Sequence, residues 1–79
     1  MGFAKTEKEW GERAARFLKA ELKRADVTYE QLAERLTEHG FVETKASVAN
    51  KLARATVSAA FLLAAIAVLG LTGIDLEDI

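Results

Sequence analysis

Apolar residues recur along this chain at three- and four-residue steps, then merge into one uncharged block. Trp10, Ala14, Phe17, Leu18 and Leu22 form the first stripe, the spacing of a single helix face. Arg13, Arg16, Lys19, Lys23 and Arg24 occupy the other side. Thr6-Glu7-Lys8-Glu9 reads as a capping box, in which Thr6 accepts from the Glu9 N–H and Glu9 reaches back to Thr6. A first helix is therefore expected from there to near Asp26. Thr28-Tyr29-Glu30-Gln31 is a second capping box, with Val27 placed to staple onto Leu32. The helix it opens buries Leu32, Ala33 and Leu36 and ends near Gly40, a residue suited to the left-handed position after a helix.

Phe41-Val42-Glu43 reads as a connector with two apolar anchors, and Thr44 as the next N-cap. The third helix, Lys45 to about Ala53, has Val48 and Leu52 on one side and Ser47, Asn50, Lys51 and Arg54 mainly on others. Thr56 or Ser58 starts a fourth helix that stops at Gly70, and a turn and short last element are expected in the tail. These elements predict one domain over residues 1–79, with its core in 6–70 and a short tail at 71–79. The fold class is all-α, a compact bundle of four to five helices.

The block from Ala55 to Ile74 holds 20 residues without a charge, about the length of a bilayer span. Its continuous apolar run, Ala59 to Leu69, is shorter, nearer a core helix. Ser58, Thr56, Thr72, Gly70 and Gly73 interrupt the rest. A soluble core helix without a membrane role is the expectation. Phe61, Leu62, Ala65, Ile66 and Leu69 form the face that closes over the first three helices. Ala60, Leu63, Ala64, Ala67 and Val68 then need a second cover, because a helix apolar all round is buried all round. The first helix and the C-terminal tail could cover part of that side; the alternative is a two-fold partner contributing the same face, and this favoured reading makes a homodimer the expectation.

Composition narrows the chemistry. The 79 residues include no cysteine and one histidine, His39. Thiolate metal sites and disulfides are excluded, and a histidine-based metal centre or catalytic triad has too few ligands. No nucleophile–base pair stands out, so neither an enzyme nor a bound cofactor or metal is expected. The start MGFAKTEKEW lacks an apolar core of the secretory kind, and a cytoplasmic location is the expectation.

Net charge is −1, but its distribution is uneven. Residues 27–44 carry Arg35 against Glu30, Glu34, Glu38 and Glu43, whereas residues 45–55 carry Lys45, Lys51 and Arg54 with no acid. A purely basic helix behind a bracing helix is the arrangement of a helix-turn-helix, whose second helix enters the DNA major groove. Ser47 and Asn50 are candidates to read base edges, Asn being suited to adenine. Lys45, Lys51 and Arg54 are candidates for phosphate, with Arg54 alternatively reading guanine. The basic residues of the first helix are further phosphate candidates. Three cations on an exposed helix are also simply a solvated face, and the glutamates must point away from phosphate if DNA is the partner.

The stretch from Trp10 to Gly70 resembles a family of small bacterial proteins, domain of unknown function 6471. The resemblance rests on Trp10, Phe17-Leu18-Lys19, Glu21-Leu22-Lys23, Thr28-Tyr29, Leu32-Ala33, Arg35-Leu36, Gly40, Ala49-Asn50-Lys51-Leu52, Arg54 and Ser58-Ala59-Ala60-Phe61-Leu62. It implies an organisation similar to lambda-repressor-like helix-turn-helix domains. Gln31-Leu32-Ala33 would then open the bracing helix, and Ser47 to Arg54 would form the recognition helix. Two features depart from that pattern. Gly40 lies seven residues after Ala33 rather than four, which implies a longer turn. Ala55 stands where family members usually carry glycine, so the third helix either continues or ends differently. Together these readings predict a transcriptional regulator that binds double-stranded DNA as a homodimer. The competing expectation is a protein-interaction module that uses the apolar fourth helix without DNA.

Overall fold

Four hydroxyl side chains start four helices. The computed structural model describes residues 2–79, and its helices are α1 (Glu7–Ala25), α2 (Tyr29–Thr37), α3 (Lys45–Ala53) and α4 (Ala59–Val68). Thr6, Thr28, Thr44 and Ser58 are the N-caps, each accepting from the backbone N–H three residues on. Each cap satisfies one of the donors that a helix start leaves unpaired. The boxes at Thr28 and Thr44 are reciprocal, with Gln31 and Ser47 bonding back to the cap N–H. At Thr6 the return bond shifts by one residue: Glu9 accepts from the Lys5 N–H at 3.2 Å rather than from Thr6.

The four helices also end alike. Asp26 (φ 57°), Gly40 (φ 88°), Ala55 (φ 55°) and Gly70 (φ 79°) are left-handed. The residue after each donates back across the turn: Val27 to the Leu22 carbonyl at 2.9 Å, Phe41 to Leu36 at 3.1 Å, Thr56 to Lys51 at 3.0 Å and Leu71 to Ile66 at 3.0 Å. This is the Schellman closure. Ala55 adopts it without being glycine, at a cost on the order of 1 kcal/mol for its Cβ. The missing glycine therefore does not extend α3.

Leu18, Leu32, Leu36, Val48 and Ala65 are fully buried, with Leu22, Leu52 and Phe61 close to it. These residues form one core where α1 and α2 meet α3 and α4. Phe41 joins it, its ring meeting Phe61 edge-on at 6.4 Å and 88°. Val42, expected as a second anchor, is 96% exposed, because the left-handed turn at Gly40 directs only Phe41 inward. Trp10 is a rim residue, stacked on Phe3 at 6.1 Å. The Cα radius of gyration is 12.0 Å, close to the ~12 Å of a compact chain of this length.

The described residues contain four helices and no strand, and no fifth helix forms. The tail runs beside α1, lining a cleft with Phe17, Ala20 and Arg24. It holds one turn, in which the Asp78 N–H donates to the Asp75 carbonyl at 3.0 Å. The uncharged block divides in the same way: left-handed Ala55, the Ser58 cap, α4, the Gly70 stop and part of the tail. Among the described residues no single helix is long and apolar enough to cross a membrane, and α3 and α4 meet at 120°.

Candidate nucleic-acid interface

α3 is held on its inner side by Val48 and Leu52, 0% and 1% exposed. Its exposed residues are Lys45, Ala46, Asn50, Ala53 and Arg54. At 100° per residue, Ala46, Asn50 and Ala53 lie within about 60° of one another, with the Lys45 and Arg54 directions on either flank. The stripe is small side chains around one amide, the surface that lets a helix approach the floor of a groove. The cations sit at the two ends.

The first turn of α3 carries no acid, whereas α1 opens with Glu7 and Glu9 and α2 with Glu30. Acids complement the positive end of a helix and cations oppose it. Lys45 therefore opposes the dipole of its own helix, and the negative charge at that end comes from the connector, where the Glu43 carboxylate accepts from Ser47 of the first turn.

Two of the five nominated contacts have other partners. Ser47 Oγ accepts from the Thr44 N–H at 2.8 Å and is 2.7 Å from Glu43 Oε1, to which it donates. Lys51 Nζ is ion-paired with Glu43 and lies 5.1 Å from the Phe61 ring centroid. Lys45, Asn50 and Arg54 have no side-chain hydrogen bond or ion pair among the described residues.

The last turn of α3 rests on α1. Ala53 and Ala55 line one cleft with Arg16 and Lys19 and another with Lys8 and Gly11, Arg54 joining the second. The structure thus brings Arg16, Lys19 and Lys8 of α1 beside the basic end of α3. Glu7 and Glu12 line the same clefts. Of the remaining α1 cations, Arg13 donates to the carbonyls of Gly2 at 2.9 Å and Ile79 at 3.3 Å, Arg24 pairs with Glu21 at 2.8 Å, and Lys23 is exposed in the last turn, outside both clefts. Lys8 was not singled out from the sequence. Nothing in the sequence separates it from the other cations of that helix.

α4 also divides. Phe61, Ala65 and Ile66 are buried, and Ala64 and Val68 lean against the core. Of the residues nominated for a subunit interface, Ala60, Leu63 and Ala67 remain exposed, Leu63 by 66%. They form a stripe at i, i+3 and i+7. The Arg35 guanidinium closes the far end of α4, donating to the Val68 carbonyl at 3.3 Å.

The described residues contain no cluster of three or more potential metal ligands. No curated protein and no solved structure matches the chain. A family model described as "Domain of unknown function (DUF6471)" matches residues 10–74. That match takes in all four helix ends, the core and most of the residues placed on the α1–α3 surface, and the chain belongs to that family.

Proposed function

We propose that this domain is a DNA-binding regulator in which α2 and α3 act as a lambda-repressor-like helix-turn-helix. In this reading α2 is the bracing helix, and α3 enters the major groove. The observation that carries it is the outer face of α3: Lys45, Ala46, Asn50, Ala53 and Arg54 are exposed, without an acid on the helix. Asn50 is the candidate base reader. Lys45 and Arg54 take phosphates at the two ends, and Arg16 and Lys19 of α1 extend the track. Replacing Lys45 and Arg54 together by Glu should abolish a low-salt gel shift with duplex DNA and leave the far-ultraviolet circular dichroism unchanged. Both side chains are exposed, so folding is not expected to suffer. A shift of unchanged strength, or none from the unaltered protein at low salt, where non-specific binding is strongest, rejects the reading.

The regulator acts as a homodimer. Ala60, Leu63 and Ala67 from two copies pack α4 on α4, the alanines allowing close approach around Leu63. Light scattering should give twice the 8.6 kDa chain mass, and Leu63→Glu should return the protein to one chain mass. A single chain mass for the unaltered protein at high micromolar concentration contradicts the dimer. The second reading, capture of a different protein by the same face, is favoured by the 66% exposure of Leu63. It predicts a folded monomer that does not bind DNA.

A further inference from the structure

The side chains of Glu43, Ser47 and Lys51 make a cluster that the outer face of α3 does not use. Glu43 lies in the α2–α3 connector, and its side chain is only 3% exposed. One carboxylate oxygen accepts from Ser47 Oγ at 2.7 Å and the other from the Lys51 ammonium. Ser47 is itself tied to the connector through its reciprocal bonds with Thr44, at 2.8 and 3.1 Å. The Lys51 ammonium also faces the Phe61 ring of α4, which meets Phe41 edge-on. The cluster therefore joins the connector, two turns of α3 and the start of α4.

A carboxylate this deeply buried is unfavourable unless it is paired and hydrogen-bonded. If α3 rotated about its axis, Ser47 and Lys51 would leave Glu43 together and strand that charge. The Lys51 direction lies about 100° from Asn50 around the helix, toward the buried side.

We propose that Glu43 and Lys51 are a positioning pair that fixes the rotation of α3, presenting Asn50 outward, and that Lys51 is not a phosphate contact. The functional half of this proposal rests on the DNA reading above; the structural half does not. An ammonium already neutralised by Glu43 releases no counterion from DNA, whereas a phosphate contact contributes about 0.9 to the slope of log K against log salt. Glu43 makes a sharper distinction. If it acted only through its charge, removing it would raise affinity for a polyanion. As a positioning group, removing it loosens α3 and lowers affinity.

The test measures melting temperature and salt-dependent duplex affinity for Lys51→Met, Lys51→Arg, Glu43→Gln, the Glu43→Gln/Lys51→Met pair and Arg54→Met. Lys51→Met should lower the melting temperature by several degrees, because it leaves the buried Glu43 carboxylate without its cation, while the 37% exposure of the Lys51 side chain reduces the loss below that of a fully buried pair. Its salt slope should stay that of the unaltered protein. Lys51→Arg should recover most of the melting temperature. The double variant should be less destabilised than the sum of its parts. Glu43→Gln should lose affinity, while Arg54→Met should lose about 0.9 of slope and keep its melting temperature. A slope loss in Lys51→Met with an unmoved melting temperature overturns the proposal, as does a gain of affinity in Glu43→Gln. If the unaltered protein binds no DNA, the DNA reading and the functional half fail together. Additive melting shifts in the Glu43–Lys51 cycle, measured without DNA, overturn the pair itself.

Discussion

Replacing Phe61 by Ala is expected to remove most of the protein's stability at room temperature. Phe61 is 1% exposed and the largest of the fully buried side chains. It is where α4 meets the rest: its ring packs edge-on against Phe41 and lies under the Lys51 ammonium. Truncating a buried Phe to Ala costs about 3–5 kcal/mol, because the lost transfer energy is joined by the cavity left behind. The whole stability of a domain this small is about 5 kcal/mol. With a urea dependence of about 1 kcal/mol per molar, the unfolding midpoint should fall by about 3 M or more. A fall of under about 1 M would mean that α4 is not anchored through this ring.

The second large effect is expected at a residue with no side chain. Gly11 sits inside α1, where glycine is about 1 kcal/mol worse than alanine. Alanine would nevertheless be harmful, because a Cβ at this position would fall 2.7 Å from the carbonyl oxygen of Ala55. The obstacle is backbone, and Ala55 is already held in its left-handed conformation by the end of α3. The crossing of α1 and α3 must therefore open. Overpacking of this kind costs about 1–3 kcal/mol. Against the gain in helix propensity, Gly11→Ala should still lower the melting temperature by several degrees, at about 4–8 °C per kcal/mol. Gly73→Ala is the control, since a Cβ there meets nothing within 4 Å. A higher melting temperature for Gly11→Ala would mean that α1 and the end of α3 stand further apart than the 2.7 Å approach implies. The same crossing carries Arg16 and Lys19 alongside α3, so the variant should weaken DNA binding as well.

The contrast between these two positions shows what the sequence can carry. The helix starts were legible because a cap is local: Thr28 and Gln31, or Thr44 and the start of α3, lie within one turn and imply their own hydrogen bonds. The apolar stripes were legible for the same reason, and they identified Leu18, Leu32, Val48 and Phe61 as interior. The close approach at Gly11 was not legible, because its partner lies more than forty residues away. Nor was the left-handed Ala55, since nothing in an alanine advertises a positive φ. On α3, Lys51 and Ser47 looked like free polar groups because Glu43 lies outside the helix, where helical spacing does not reach. The acidic connector that argued against DNA is, at Glu43, the partner of a cation that argued for it. The outer face of α4 was read as five residues; the core claims Ala64 and Val68 and leaves three.

A map of backbone amide shifts in the labelled protein, as duplex DNA is added at low salt, tests whether α3 is the DNA-binding element. Binding through α3 predicts shifts concentrated on residues 45–54, reaching Arg16 and Lys19 on α1 and fading as salt is raised. Shifts confined to α4 around Leu63, or none at all at low salt, would contradict it.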